Sequence, residues 1–121
     1  MEKIGSYIDE KLLCEHPVIM DRVIISNPSD APISLERGSV IGLDEDSLKV
    51  LFAKDMTDAV GVLAEPVTVP EKSGDTPGEA VAAIYVHAAL VLDQLKFAAD
   101  ADAETTAAAV ASLKTIGCYA I

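Results

Sequence analysis

Short runs of β-branched residues, separated by turn residues at close and even spacing, constrain this chain more than any other feature of its sequence. The first run, residues 18–25, lies between Pro17 and a turn signal at residues 27–30. Two shorter runs follow at residues 39–43 and 48–52, each after a polar turn. Strands at this spacing are typical of a small barrel or a curled sheet, and we expect one here.

The middle of the chain continues the strand pattern with two irregular features. Residues 59–64 form an apolar run that contains Gly61, and a glycine inside a strand usually marks a bulge or a close backbone approach. Residues 79–97 are apolar on both possible faces, so periodicity does not distinguish a helix from a strand. We interpret this segment as a strand over residues 81–92, followed by a helical turn at residues 93–96.

The clearest helix lies near the C-terminus. Asp102 is a favourable N-cap, and the residues that follow it are rich in alanine. Gly117 suits the C′ position after a helix, while a final strand over residues 115–121 is equally compatible. The expected apolar stripe of the helix is narrow and consists of Thr106, Ala107, Val110 and Leu113.

The size and charge of the chain exclude several classes of partner. With 121 residues, it has room for one domain with one core, and half of its residues are hydrophobic. Nine basic residues against twenty acidic ones give a net charge of −11. Nucleic acids and anionic membrane surfaces repel such a protein, and the longest apolar run is too short to span a bilayer. We therefore expect no nucleic acid and no membrane as partner.

Residues that carry chemistry are few and scattered. His16 and His87 are the only histidines, and neither has a second ligand type at the spacing of a metal site. Residues 44–46 are acidic but lack the glycine and the distal glutamate of a calcium loop, so they indicate a solvated turn. One disulfide between Cys14 and Cys118 is possible, but two cysteines make no disulfide framework, and we expect free thiols, with Cys118 buried. These observations predict no catalytic residue, no metal and no cofactor.

Three segments carry a resemblance to a known family. Residues 37–42 read Arg-Gly-Ser-Val-Ile-Gly, and residues 58–64 read Asp-Ala-Val-Gly-Val-Leu-Ala. Residues 83–91 then read Ala-Ile-Tyr-Val-His-Ala-Ala-Leu-Val and precede a short turn, a capped helix and an apolar end. This order, over residues 17–121, resembles the lambda-type head decoration proteins of tailed bacteriophages. Ala88 and Ala89 stand where many members have a glycine.

The resemblance implies a fold and a function. The expected fold is α+β, with a small curled, β-tulip-like subdomain, a mixed α/β part and a C-terminal helix, in a chain that forms homotrimers. Residues 1–16 are expected to be an N-terminal arm, and residues 17–121 a single domain. Such trimers sit at three-fold and quasi-three-fold sites on the outer surface of the expanded head, after assembly in the host cytoplasm. There they clamp neighbouring major capsid protein subunits against the pressure of packaged DNA.

The first strand is the candidate capsid-binding segment. Its residues are β-branched enough to pair as an edge strand, and a charged pair at its centre discourages unspecific pairing. Backbone pairing of this kind provides affinity with little demand on side-chain identity. The predicted binding residues are Pro17, Val18, Ile19, Met20, Asp21, Arg22, Val23, Ile24 and Ile25.

One alternative comes from a different functional class. The chain is also compatible with a small β-barrel-like domain that binds a ligand or serves as an accessory to an enzyme, with residues 79–97 lining a pocket. A pocket that brings together His87, Tyr85 and several carboxylates favours this alternative.

Overall fold

Strands are the main secondary structure in the computed structural model, which describes residues 18–121. The predicted arm at residues 1–16, together with Pro17, lies outside the described residues. The strands in chain order are β1 (Ile19–Asn27), β2 (Ile33–Leu35), β3 (Val40–Leu43), β4 (Lys49–Leu51), β5 (Ala59–Leu63), β6 (Val67–Val69), β7 (Gly78–Leu90) and β8 (Cys118–Ala120). A 3-10 helix, Leu92–Gln94, and one α-helix, α1 (Ala103–Ile116), lie between β7 and β8. The expected α+β class is confirmed.

The strands form a curled half-barrel sheet. Its order is β1-β7-β5-β3-β4, with antiparallel pairing throughout this path. β8 pairs in parallel with the end of β7, and β2 pairs with β6 in a separate two-stranded sheet. The predicted series of short strands is therefore confirmed. Two of these strands, β1 and β5, pair with β7, which lies later in the chain.

Two buried clusters lie on opposite faces of the sheet. The helix-side core contains Phe52, Tyr85 and Leu90 with Ala109 and Leu113 of α1. The second cluster, which we call the β2–β6 core, joins the sheet to the small second sheet. Its buried members are Ile25, Leu35, Ile41, Leu63, Val69, Ala82 and Ile84.

A bulge in β7 changes which of its side chains face each of the two cores. Ile19 pairs with His87 and Met20 pairs with Tyr85, which leaves Val86 as an extra residue. Because side chains alternate along a strand, Tyr85 and Ala88 would face opposite sides in a regular strand. The extra residue changes the phase, and both belong to the helix-side core. The segment is apolar on both faces in sequence because each face of β7 packs against one of the two cores. The strand interpretation of this segment is confirmed.

Gly61 lies at a β-bulge and at a close backbone approach, the two features predicted for a glycine inside a strand. Ile41 pairs with Gly61 and Gly42 pairs with Ala59, so Val60 is an extra residue in β5. A Cβ atom on Gly61 would lie 2.6 Å from the carbonyl oxygen of Tyr85 on the neighbouring strand. This distance is too short for any residue with a side chain unless the two strands move apart.

The ends of α1 follow the sequence signals. Asp102 Oδ1 accepts hydrogen bonds from the Thr105 backbone N–H at 2.9 Å and from the Thr105 hydroxyl at 2.8 Å, and these bonds lower the pKa of Asp102. Gly117 ends the helix in the left-handed conformation, with φ of 105°, and β8 begins directly after it. The C′ role of Gly117 is therefore confirmed, whereas the final strand is shorter than residues 115–121, because Thr115 and Ile116 belong to the helix.

Only Leu113 of the expected stripe of α1 is fully buried, and Thr106 and Val110 are half-buried. The buried residues are Thr105, Ala109 and Leu113, which lie four positions apart, whereas Ala107 is exposed. Alanines surround the helix, so the sequence pattern indicates no single face, and contacts with β5 and β8 select the buried one. Within residues 18–121 no helix is long and apolar enough to cross a membrane.

Replacing Gly61 with alanine tests the close approach of β5 to β7. We expect Gly61→Ala to lower the free energy of unfolding by about 1–3 kcal/mol, because the new methyl group forces two paired strands apart. Urea denaturation measures this change. The control is Gly74→Asn, because Gly74 has φ of 59°, which asparagine adopts, and nothing within 4 Å of an added Cβ. Equal stability of Gly61→Ala and the native protein would contradict the packing described.

Candidate functional site

The predicted binding strand, β1, lies at one end of the sheet. Its only strand partner among the described residues is β7, so its second edge has no paired strand in this part of the chain. Ile19 and Met20 are each 57% exposed and Ile24 is 49% exposed. Apolar side chains and an open backbone edge thus occur on the same segment.

The nine predicted residues do not all reach this edge. Pro17 lies outside the described residues, and Val23 is half-buried. Ile25 is fully buried in the β2–β6 core, so its side chain holds β1 in place and does not face a partner. The remaining residues are exposed: Val18, Ile19, Met20, Asp21, Arg22 and Ile24. Val18 and the first six residues of β1 together form what we call the open segment of β1, residues 18–24.

Asn27 closes the edge at the other end of β1. Its side-chain amide donates hydrogen bonds to the carbonyl oxygens of Ala31 at 2.8 Å and Pro70 at 3.1 Å. Its side-chain oxygen accepts hydrogen bonds from the Ser29 backbone N–H and hydroxyl group. Asn27 is 1% exposed, and these bonds tie the end of β1 to the turn after it and to the end of β6. A partner strand can extend along β1 only as far as this closure.

Hydrogen bonds on neighbouring residues show which backbone groups point out of the open segment. Ala83, which is paired with Arg22, donates its N–H to Glu65 and accepts from the N–H of Ala64, so its backbone groups point away from β1. In an antiparallel pair both residues then point outward. The backbone of Arg22 therefore faces the free edge, and alternation places the backbones of Met20 and Ile24 on that edge too.

Asp21 occupies part of this edge with its own side chain. Its Oδ1 atom accepts a hydrogen bond from the Arg22 backbone N–H at 2.8 Å. A carboxylate in this position satisfies the donor that a partner strand would otherwise bind. The Arg22 guanidinium lies 3.9 Å from the Glu65 carboxylate, but the two side chains are 68% and 47% exposed, so this ion pair stabilises the fold little.

An apolar pair flanks the edge on the outer surface of the sheet. Ile24 lies directly opposite Val81, which is 58% exposed. Sequence reasoning missed Val81 and Glu65 as neighbours of the site. Val81 was assigned only to a strand, and no local signal places Glu65 against β7.

The pocket that would favour a ligand-binding role is only partly assembled. A depression beside β1 contains Tyr85 with the carboxylates of Asp21 and Glu65. The Tyr85 hydroxyl accepts a hydrogen bond from the Arg37 guanidinium at 3.1 Å. His87 does not line this depression, because its ring lies against Gly117 and packs edge-to-face on Tyr119. The bulge at Val86 separates the environments of Tyr85 and His87.

Cys14 and His16 lie outside the described residues, and the remaining residues considered for chemistry have structural roles. Asp44 Oδ1 accepts hydrogen bonds from the backbone N–H groups of Asp46 and Leu48, so the acidic turn is held by its own side chain. The described residues contain no cluster of three or more His, Cys, Asp or Glu that could hold a metal ion. Cys118 is a buried free thiol, and burial raises its pKa to about 11.

No protein-family model matches the chain, and no curated protein is significantly similar to it.

Proline substitutions test the assignment of the free edge. We expect Ile24→Pro to fold with only a modest loss of stability, because the lost N–H points away from β7. Val23→Pro removes an N–H that faces β7 and a half-buried side chain. It should therefore lower the free energy of unfolding by at least about 2 kcal/mol more than Ile24→Pro does. Urea denaturation of both variants provides the comparison. A larger loss for Ile24→Pro than for Val23→Pro would reverse the assignment.

The burial of Cys118 predicts a dependence of stability on alkaline pH. The pKa of this thiol is raised from 9.0 to about 11 in the folded protein, so folding favours the protonated form. This contribution is fully present below pH 9 and is lost as the pH rises to about 11. Stability should therefore fall less steeply over this range in Cys118→Ala than in the native protein, as measured by urea denaturation at each pH. Parallel slopes would contradict a buried thiol.

Proposed function

We propose that this chain is a capsid decoration protein that binds the outer surface of an expanded bacteriophage head. The observation that supports this proposal most directly is the open segment of β1, whose outer backbone edge pairs with no strand among residues 18–121 and lies beside exposed apolar side chains. Soluble proteins normally cover or shorten such an edge, because it pairs readily with other chains. A partner strand that covers this edge accounts for its exposure in the part of the chain that the structure describes.

Strand addition fits the physical demands of decoration. Each hydrogen bond to a partner strand uses the backbone, so binding depends on the partner's shape more than on its side chains. Expansion of a head rearranges its subunits, and an accepting strand can become accessible only in the expanded lattice. The partner in this proposal is the major capsid protein. This chain binds to it and clamps neighbouring capsid subunits against the pressure of packaged DNA.

The working form in this proposal is a homotrimer with a β-tulip-like subdomain, located at three-fold and quasi-three-fold sites. Exposed apolar side chains near the end of the chain provide surface for contacts between copies: Leu92, Ile116, Tyr119 and Ile121. A net charge of −11 keeps free copies soluble before they reach the head. The role is structural and requires no catalytic residue, metal or cofactor.

A decoration assay with edge variants tests the proposal. The reading frame beside this gene should encode a major capsid protein, and heads assembled from it are prepared in expanded and compact forms. We expect the native chain to sediment with expanded heads only, and cryo-electron microscopy to show its density at three-fold positions. Ile24→Pro should reduce decoration at least about tenfold, because it removes a backbone donor from the edge.

The matched control is Ile24→Ala, which shortens the same side chain and keeps the backbone N–H. We expect Ile24→Ala to decorate much more fully than Ile24→Pro. Equal decoration by the two variants would exclude strand addition at β1. Absence of the native chain from expanded heads would reject the decoration function itself.

A further inference from the structure

The charges at the centre of β1 restrict which strand can add to it. Asp21 and Arg22 occupy the middle of the open segment, with three residues before them and two after. Neighbouring residues of a strand point to opposite faces, so the two charges meet a partner strand on different faces of the sheet. The strand that fits must therefore place a suitable residue opposite each of them.

Pairing of β1 with β1 of a second copy meets like charges in the longest antiparallel register and in in-register parallel pairing. The antiparallel register that uses the whole open segment is centred on Asp21, so Asp21 lies directly opposite Asp21 of the second copy. A register centred on Arg22 places two arginines opposite each other instead. In-register parallel pairing brings both like pairs together. Like charges directly opposite are destabilising, and the net charge of −11 on each copy adds repulsion.

A strand from a different chain removes this conflict when its charges are complementary. An incoming carbonyl group that binds the Arg22 N–H displaces the Asp21 carboxylate from its 2.8 Å hydrogen bond. The displaced carboxylate then needs a cation, which a basic residue opposite Asp21 provides. An acidic residue opposite Arg22 competes with Glu65, whose present contact with the exposed guanidinium is 3.9 Å long.

We propose that β1 accepts an antiparallel strand of another protein that carries an acidic residue followed directly by a basic residue, and that it does not pair with β1 of a second copy. The acidic residue lies opposite Arg22 and the basic residue opposite Asp21, with apolar residues opposite Met20 and Ile24. This inference rests on the proposed function for the identity of the partner as a capsid strand, whereas the charge pattern depends only on β1.

Two synthetic peptides test this pattern on the isolated protein. Both are acetylated and amidated seven-residue peptides of valine and threonine, with Glu-Lys at positions three and four in one and Lys-Glu in the other. We expect the Glu-Lys peptide to bind at least about tenfold more tightly, because it makes two opposite-charge pairs where the other makes two like-charge pairs. Fluorescence anisotropy gives the affinities, and nuclear magnetic resonance should show a shift of the Arg22 amide signal.

A charge-swapped protein is the matched control. The double variant D21K with R22E should reverse the preference and bind the Lys-Glu peptide more tightly, and Ile24→Pro should weaken binding of both peptides. Circular dichroism confirms that each variant is folded. Equal affinity of the native protein for the two peptides, or no binding of either at millimolar concentration, would overturn the inference.

The outcome is separable from that of the decoration assay. Decoration of heads without a peptide preference would reject the charge pattern and leave the decoration function standing. A clear preference without decoration would leave the charge pattern standing and point to a different protein as the partner. A concentration-dependent shift of the Arg22 amide signal without peptide would show that β1 pairs with a second copy, which the inference excludes.

Discussion

The long strand β7 is the element on which the other parts of the fold depend. Its 13 residues pair with β1 and β5 and, at its end, with β8. A regular strand of this length would keep each core on one phase of its side chains throughout. The extra residue Val86 changes the phase, so Tyr85 before it and Ala88 and Leu90 after it all belong to the helix-side core.

The pairing of β1 with β7 also positions the open segment of β1, on which the proposed function rests. β1 is held on one edge by β7 and at its end by Ile25 and Asn27, and the other edge of residues 18–24 pairs with no strand in the described part of the chain. Anchoring at one end lets the open segment keep its extended shape without a partner. A preformed edge binds with less loss of conformational freedom than a segment that must first become ordered. Asp21 satisfies one exposed donor meanwhile, which reduces unspecific pairing.

Polar groups in the interior support the fold and do not form a reactive site. The buried residues Asn27, Ser39 and Thr105 each have hydrogen-bond partners in turns or at a helix start. Among residues 18–121 no buried side-chain nitrogen or oxygen lacks a hydrogen-bond partner. Satisfied polar groups of this kind specify the turns that join the strands. The surface is therefore the part of the described chain that carries the proposed binding role.

Short-range signals in the sequence determined the type and ends of most elements, because turn residues, Asp102 as N-cap and Gly117 after the helix act on their immediate neighbours. The sequence also identified β1 as a candidate edge strand. Only the tertiary structure decided which face of each element is buried. Ile24 and Ile25 are adjacent and chemically identical, yet one is half exposed and the other fully buried. Burial depends on contacts with β6 and β7, which are distant in the chain, and a local pattern carries no information about those contacts.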